Sequence, residues 1–350
     1  MKKMSIKGLT ALCMTAAIIT LAGCSKETAP ETTAQAEKPS ESSMETETGT
    51  TPETTGADWK PEKEFTFIIP FNAGGSSDVA ARVLVEYMNK YSDKDFTIVN
   101  MPGSGGQVGM EECFNAAPDG YTVVSVPTGW FMSYSMGNVD KTYSDFTPIS
   151  LWADSYMALV TNGKGEYDSY DKFVEAAKSK DMLIGGVAGT LPCLAEYVMA
   201  DKEGFTFNFT DLEEKSKQTE LLSNRVDAYV DAFASVVNYV SNGDLNCLAV
   251  FSDQKLDGYE MVPNLEELGY DFDVDFLAQR YALWGPGDMN PGAVSYINQV
   301  IREASEDPEC QKALAALYYS ASWMDSAEYH DYCEKVQKST DDYVNRLFFQ

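Results

Sequence analysis

Phe65-Thr66-Phe67-Ile68-Ile69-Pro70-Phe71-Asn72-Ala73-Gly74-Gly75-Ser76-Ser77-Asp78-Val79-Ala80-Ala81-Arg82 runs from an apolar stretch through a glycine-rich turn into a helical pattern. Phe65 to Ile69 read as a buried strand that Pro70 stops. Gly74 and Gly75 lack a Cβ, so the backbone can turn tightly there and approach a ligand. Ser76, Ser77 or Asp78 is the expected cap of a helix whose apolar residues Ala80, Val83, Leu84, Tyr87, Met88 and Tyr91 keep a helical period. A strand, a Gly turn and a helix N-terminus leave N–H groups facing outward, the chemistry of an anion site. An ordinary βα turn with a serine cap has the same ingredients. The rest of the chain decides between them.

Outward from this stretch the pattern alternates. A strand at Phe96–Val99 leads into Asn100-Met101-Pro102-Gly103-Ser104-Gly105-Gly106-Gln107-Val108-Gly109. That run misfits a dinucleotide fingerprint, because Val108 stands where the third glycine belongs and Gly109 comes one residue late. A helix to Ala117, the turn Pro118-Asp119-Gly120, a strand at Tyr121–Val126 and the turn Pro127-Thr128-Gly129-Trp130 follow. Further on, a helix over Tyr170–Ala177 and the strand Met182–Gly186 precede the turn Val187-Ala188-Gly189-Thr190. A helix with Leu191, Leu194, Ala195, Val198 and Met199 on one face comes next. This is the opening design again: strand, Gly-rich turn, hydroxyl cap, helix. Strands at Phe205–Phe209, Val226–Phe233, Leu245–Phe251 and Tyr281–Trp284 are expected, with helices over 291–305, 308–319 and 327–346. Such alternation predicts an α/β chain with parallel sheets, helices on both faces, and ligands at the carboxyl ends of the strands.

The N-terminus is of another kind. Lys2, Lys3 and Lys7 precede an apolar run from Leu9 to Leu21 that is too short to span a membrane. Leu21-Ala22-Gly23-Cys24 resembles the bacterial lipobox, in which the cysteine is lipidated, so 1–24 is expected to be a lipoprotein signal peptide. Ser25 to Ala57 is Thr, Glu, Ser and Pro with Met44 as its only large apolar residue, and is expected to be a disordered acidic tether. As a flexible coil of about 33 residues it reaches roughly 30 Å. The formal charge of −28 lies almost wholly in the remaining body. Such a body repels nucleic acid and anionic lipid at long range. A small anion is not excluded, since that field is screened beyond ~8 Å. Of seven cysteines, Cys113, Cys193, Cys247, Cys310 and Cys333 fall in the body, odd in number and without zinc spacing, and read as buried free thiols. No metal or cofactor is expected.

With these residues in place the chain resembles the solute-binding proteins of tripartite tricarboxylate transporters, the Bug family, from Phe65 to Gln350. The likeness rests on Pro70-Phe71 with Gly74-Gly75 and Asp78 to Arg82, on Pro102-Gly103 with Gly105-Gly106 and Gly109, and on Ala117-Pro118-Asp119-Gly120-Tyr121-Thr122. Asp145-Phe146-Thr147-Pro148-Ile149, Val262-Pro263 with Glu267-Leu268-Gly269-Tyr270, and Trp284-Gly285-Pro286 add to it. The resemblance implies a type II periplasmic-binding-protein fold of two Rossmann-like lobes joined by a hinge. Lobe 1 would hold 58–160 plus 279–350 and lobe 2 161–278, the chain crossing near Ala158–Thr161 and returning near Leu277–Leu283. A carboxylate-bearing solute would lie in the cleft against Phe71, Asn72, Gly74, Gly75, Ser76, Ser77 and Asp78 of one lobe and Gly185, Val187, Ala188, Gly189 and Thr190 of the other. Thr128, Gly129 and Asp231 would line the same cleft. Asp211-Leu212-Glu213-Glu214 stands where family members read Tyr-Lys-Gly-Gly, which argues against a tricarboxylate ligand. Glu213 and Glu214 either sit in a helix first turn facing solvent or face the cleft and repel a second carboxylate; the residues leave both open.

Taken together, a lipid-anchored, extracytoplasmic, monomeric receptor is expected, delivering an organic acid or amino acid to integral-membrane permease subunits. A ligand-binding co-receptor for a membrane sensor kinase is the alternative. An enzyme is not expected. His330, the lone histidine, lies in a polar helix far from either Gly loop, and no Gly-x-Ser-x-Gly elbow is present.

Overall fold

The computed structural model describes residues 59–270 and 276–349. The leader, Cys24 and the Ser25–Ala57 tether lie outside them. Among the described residues no helix is long and apolar enough to cross a membrane.

Elements follow in the order β1 (Phe65–Ile69), α1 (Ser76–Tyr91), β2 (Phe96–Asn100), α2 (Gln107–Phe114), β3 (Thr122–Pro127), α3 (Gly129–Ser135), β4 (Phe146–Ser155) and β5 (Met157–Asn162). Next come α4 (Tyr170–Ser179), β6 (Met182–Gly186), α5 (Leu191–Glu203), β7 (Phe207–Asp211), α6 (Lys217–Leu222), β8 (Ala228–Ala232), α7 (Phe233–Ser241) and β9 (Leu245–Phe251). The chain ends with β10 (Gln279–Pro286), α8 (Pro291–Glu306), α9 (Pro308–Ala315), β11 (Tyr319–Ala321) and α10 (Ser326–Phe348).

Two sheets make two lobes. The six-stranded sheet runs β11-β4-β10-β3-β1-β2 and the five-stranded one β7-β6-β8-β5-β9. Neither is purely parallel, contrary to the expectation from alternation. Each has a parallel trio, β1-β2-β3 or β6-β7-β8, and β10, β4, β11 or β5 pair with their neighbours antiparallel. For β10 and β5 the cause is the hinge: each enters its lobe from the partner lobe and runs against the trio, whose own members are joined by helical crossovers.

The chain leaves the first sheet at Ser155 and enters the second at Met157, with Tyr156 between them. It returns through Phe276–Ala278 into β10. The crossing thus precedes the expected 158–161, because β5 pairs along its whole length with β8 and β9.

Both faces of the trio in the first lobe are covered, as period-two alternation demands. Phe65, Phe67 and Ile69 of β1 pack with Leu84 and Met88 of α1 and Ile297 and Ile301 of α8, while Ile68 joins the opposite face. That opposite core is continuous between the lobes, holding Val124 and Trp284 of one and Leu159, Phe173, Ile184 and Val230 of the other. α10 belongs to it through Tyr329, Cys333, Val336 and Val344. Its first half docks on the first lobe, where Gln337 Nε2 donates to Ser135 Oγ at 2.9 Å. Its end docks on the second, where Arg346 Nη1 donates to Asp201 Oδ2 at 2.7 Å and Phe348 meets Tyr197 edge-on.

Candidate functional site

In both lobes the turns that follow the parallel strands carry the candidate residues, the position where α/β sheets bind ligands. In the first lobe, α1 opens without a side-chain cap: its N-cap is Gly75, not a hydroxyl. Val79 N–H makes the first intrahelical bond, to Gly75 O at 3.0 Å, so the N–H groups of 76–78 have no acceptor within the helix. Asp78, expected as a cap and ligand contact, turns the other way. Its carboxylate is buried, accepts from Gly74 N–H at 2.8 Å and from Asn100 Nδ2 at 2.8 Å, and pairs with Arg82 at 2.9 Å. Burial alone would raise its pKa, but the Arg82 hydrogen bonds, Gly74 N–H and Asn100 hold the group below its ordinary value. Asp78 therefore pins the turn from beneath. Gly74 sits at φ +81°, a backbone region that favours glycine.

Beside this turn lies Pro102–Gly106, and the two enclose a cavity of about 390 Å³ lined by Phe71, Asn72, Gly75 and Ser77. Gly109 explains the displaced glycine of that run: a β-carbon there would lie 2.8 Å from Pro70 Cβ, so glycine lets α2 press against the end of β1.

The second lobe repeats the construction with one difference. α5 begins after Thr190, again without a side-chain cap, and Thr190 Oγ1 donates to Val187 O at 2.7 Å instead. Gly189 takes φ +75°. Ala188 N–H is already taken, donating to Asp211 Oδ1 at 3.0 Å from the end of β7. Gly185 and Gly186 are buried strand residues. A β-carbon on Gly185 would meet Leu212 Cδ1 at 2.6 Å, and one on Gly186 would meet Glu196 Oε2 and Phe209 Cε2 at 3.1 Å. Both are small so that the core can close, not so that a ligand can approach.

Beside this loop are two ionisable groups that sequence reasoning missed, Lys217 and Glu196, together with Asp231, which it named. Lys217, at the start of α6, is only 2% exposed and pairs with Asp231 at the end of β8 at 2.7 Å. Asp231, expected as a ligand contact, also accepts from Ala232 N–H at 2.8 Å. Glu196 of α5 is fully buried, Oε1 accepting from Val230 N–H at 2.9 Å. Burial pushes its carboxyl well above the ordinary value, against the opposing pull of Val230 N–H and of Lys217. Glu213 is exposed and pairs with Lys215 at 3.0 Å, the solvent-facing arrangement; the Glu214 side chain lies outside what the structure describes.

The two sets of turns meet. A β-carbon on Gly129, which follows β3, would lie 3.8 Å from Leu191 Cβ at the start of α5. One on Gly189 would lie 3.5 Å from Asn138 Nδ2. Thr128 is buried and tied to the hinge strand: its N–H donates to Arg280 O, and Arg280 N–H donates to Thr128 Oγ1, both at 2.9 Å. Arg280 in turn lies 3.4 Å from Asp154 and 3.7 Å from Asp253, one acid from each lobe. His330 is exposed against Tyr143, remote from these turns in sequence. Among the described residues no group of acids, histidines and cysteines could hold a metal. Cys113, Cys193, Cys310 and Cys333 are buried free thiols and Cys247 is half-buried; burial pushes the Cys113 thiol up to about 12.

Comparison with known proteins adds four findings. A model of the tripartite tricarboxylate transporter family receptor matches residues 80–346. The protein BugT of Bordetella pertussis is 28% identical over 272 residues, 74% of this chain and 82% of BugT. A TctC solute-binding protein from Polaromonas, solved without ligand, superposes with a TM-score of 0.71 at 25% identity, covering 82% of this chain and 99% of that one. MatC from Rhodopseudomonas palustris, solved with bound malate, has the same fold with a TM-score of 0.66 at 18% identity, over 81% of this chain and 99% of MatC.

Proposed function

Because the chain belongs to the tripartite tricarboxylate transporter receptor family, we propose that it captures a small carboxylate-bearing solute between its lobes and hands it to membrane permease subunits. It is an extracytoplasmic solute-binding receptor of periplasmic-binding-protein fold, and not an enzyme. The observation that carries the reading is the pair of uncapped helix N-termini, one per lobe, at the carboxyl ends of parallel trios whose turns approach each other at Gly129 and Leu191. The malate held by MatC supports an organic acid as the solute class. In this reading the lobes are 59–155 with 279–349, and 157–278, and the acid sits on the N–H groups of Ser76 and Ser77. Closure moves the lobes about Tyr156 and 276–278, the solute selecting the closed state by its extra contacts there.

The leader supports attachment through a lipid on Cys24, with Ser25–Ala57 as the tether. Two or three acyl chains hold durably where one does not. Cys24→Ala should release soluble or unprocessed protein from membranes; a processed variant still membrane-bound would contradict the anchor.

A thermal-shift screen over several hundred organic acids and amino acids tests the reading. At one hundred times Kd a ligand adds about 2.7 kcal/mol, which moves the midpoint of a body this size by roughly 5 °C or more. A coherent set of carboxylates should do so. Stabilisation only by sugars or cations would refute it.

A further inference from the structure

The turns after β6 and β7 hold more than a helix end. Ala188 N–H donates to Asp211 Oδ1 at 3.0 Å, so a carboxylate of the chain already sits at the second-lobe turn. Asp211 is exposed, and no cation pairs with it among the described residues. The lysines nearby are committed elsewhere, Lys217 to Asp231 at 2.7 Å and Lys215 to Glu213 at 3.0 Å. Among the described residues at the ends of β6, β7 and β8, Asp211 is therefore an exposed carboxylate with no ion-pair partner. The first-lobe turn is the opposite case, since its aspartate, Asp78, is buried and neutralised by Arg82, while Gly75 and Ser77 of the same turn line the cavity.

We infer that Asp211 sets the charge class of the solute: one carboxylate, held by the first lobe, and a hydrogen-bond donor, an ammonium in the simplest case, at the end facing the second lobe. This rests on the reading of the two turns as the solute site. A second carboxylate on the solute would meet Asp211 with like charge and find Ala188 N–H occupied. An ammonium would meet an acceptor already fixed in place by that N–H. Asp211 is thus a selectivity residue acting directly on the solute, distinct from Asp78, which acts by holding its turn.

The test uses three matched series at three to six carbons: unbranched diacids, ω-amino acids and plain monoacids. Each is titrated by calorimetry into wild type and Asp211→Asn, with thermal midpoints confirming that both are folded. Wild type should bind the amino acid tightest and the diacid weakest at the best chain length. Asp211→Asn should tighten the diacid by about tenfold or more and weaken the amino acid, a crossing that lost stability cannot produce. A diacid binding tightest to wild type, or equal changes for all three classes, overturns the inference, and so does parity of amino acid and plain monoacid. Binding by none of the probes also overturns it, whereas solute capture itself falls only if the wider screen of organic acids is empty.

Discussion

The turn of the first lobe and that of the second each give one backbone N–H to an aspartate of the chain, Gly74 to Asp78 and Ala188 to Asp211. Local geometry is similar; the electrostatic outcome is not. Asp78 is buried, bonded on both oxygens and neutralised by Arg82, so it stiffens the turn while leaving it receptive to an anion. Asp211 is exposed and unneutralised, so it makes the second turn receptive to a cation or a neutral donor. Two turns with one backbone design can therefore face opposite ends of one solute. The glycines divide along the same line. Gly74 has open space where a side chain would go, whereas Gly185 and Gly186 are pressed against Leu212, Val226, Glu196 and Phe209.

Substitutions should separate these roles. Gly185→Val drives side-chain atoms into Leu212 and Val226 and should cost about 3 kcal/mol of stability, read as a fall in the chemical-denaturation midpoint. Asp78→Ala strands Gly74 N–H and Asn100, and should cost about 2 kcal/mol, discounted because half of Arg82 lies in solvent. It should also abolish solute binding, since the turn it pins makes the site. Gly75→Ala has only Asn72 O to accommodate, at 3.3 Å, and should keep the thermal midpoint while losing about tenfold in affinity through crowding at the Ser76 and Ser77 N–H groups. A variant of Gly75 that unfolds, or one of Gly185 that only weakens binding, would erase the contrast.

The pH dependence sharpens it further. Asp78 has its pKa held down, so its contribution is present above the ordinary value of 3.8 and is lost as pH falls through the lowered one. Glu196 has its pKa raised, so the folded chain binds a proton that the unfolded chain has released, and stability falls as pH rises above 4.5. Glu196→Gln keeps an acceptor for Val230 N–H. It should match wild type near about pH 4 and exceed it near about pH 7 in denaturation midpoint; a constant offset across that range would contradict the raised Glu196 carboxyl.

What could be read in the sequence followed local signals. Phe65–Ile69, the Gly74-Gly75 turn and α1 have alternation, punctuation and helical period in one short stretch; the strand has the expected bounds, while α1 starts at Ser76, earlier than a cap at Ser76, Ser77 or Asp78 would place it. Thr147-Pro148-Ile149 through Asn162 carries no glycine and no proline after Pro148, so apart from the short polar pair Asp154-Ser155 no turn signal marks the break at Tyr156 between two strands of different lobes. That break also decides which strands are antiparallel. Ser76, Ser77 and Asp78 carry the composition of a cap, but Asp78 reaches back to Gly74, a choice set by Arg82 and Asn100. Lys217, Asp231 and Glu196 had no local signature. Their pairing arises only when α6, β8 and α5 converge, and a lysine in a polar stretch such as Glu213-Glu214-Lys215-Ser216-Lys217 reads as a surface residue.

Backbone amide hydrogen exchange, with and without the tightest-binding acid from the screen, tests most directly that one solute bridges both turns. The account predicts slowed exchange in 74–79 and 103–107 of the first lobe and in 187–194 of the second, with little change on the outer faces of α4 and α8. Protection confined to one lobe, or centred on the surface between Lys178 and Thr206, would contradict it.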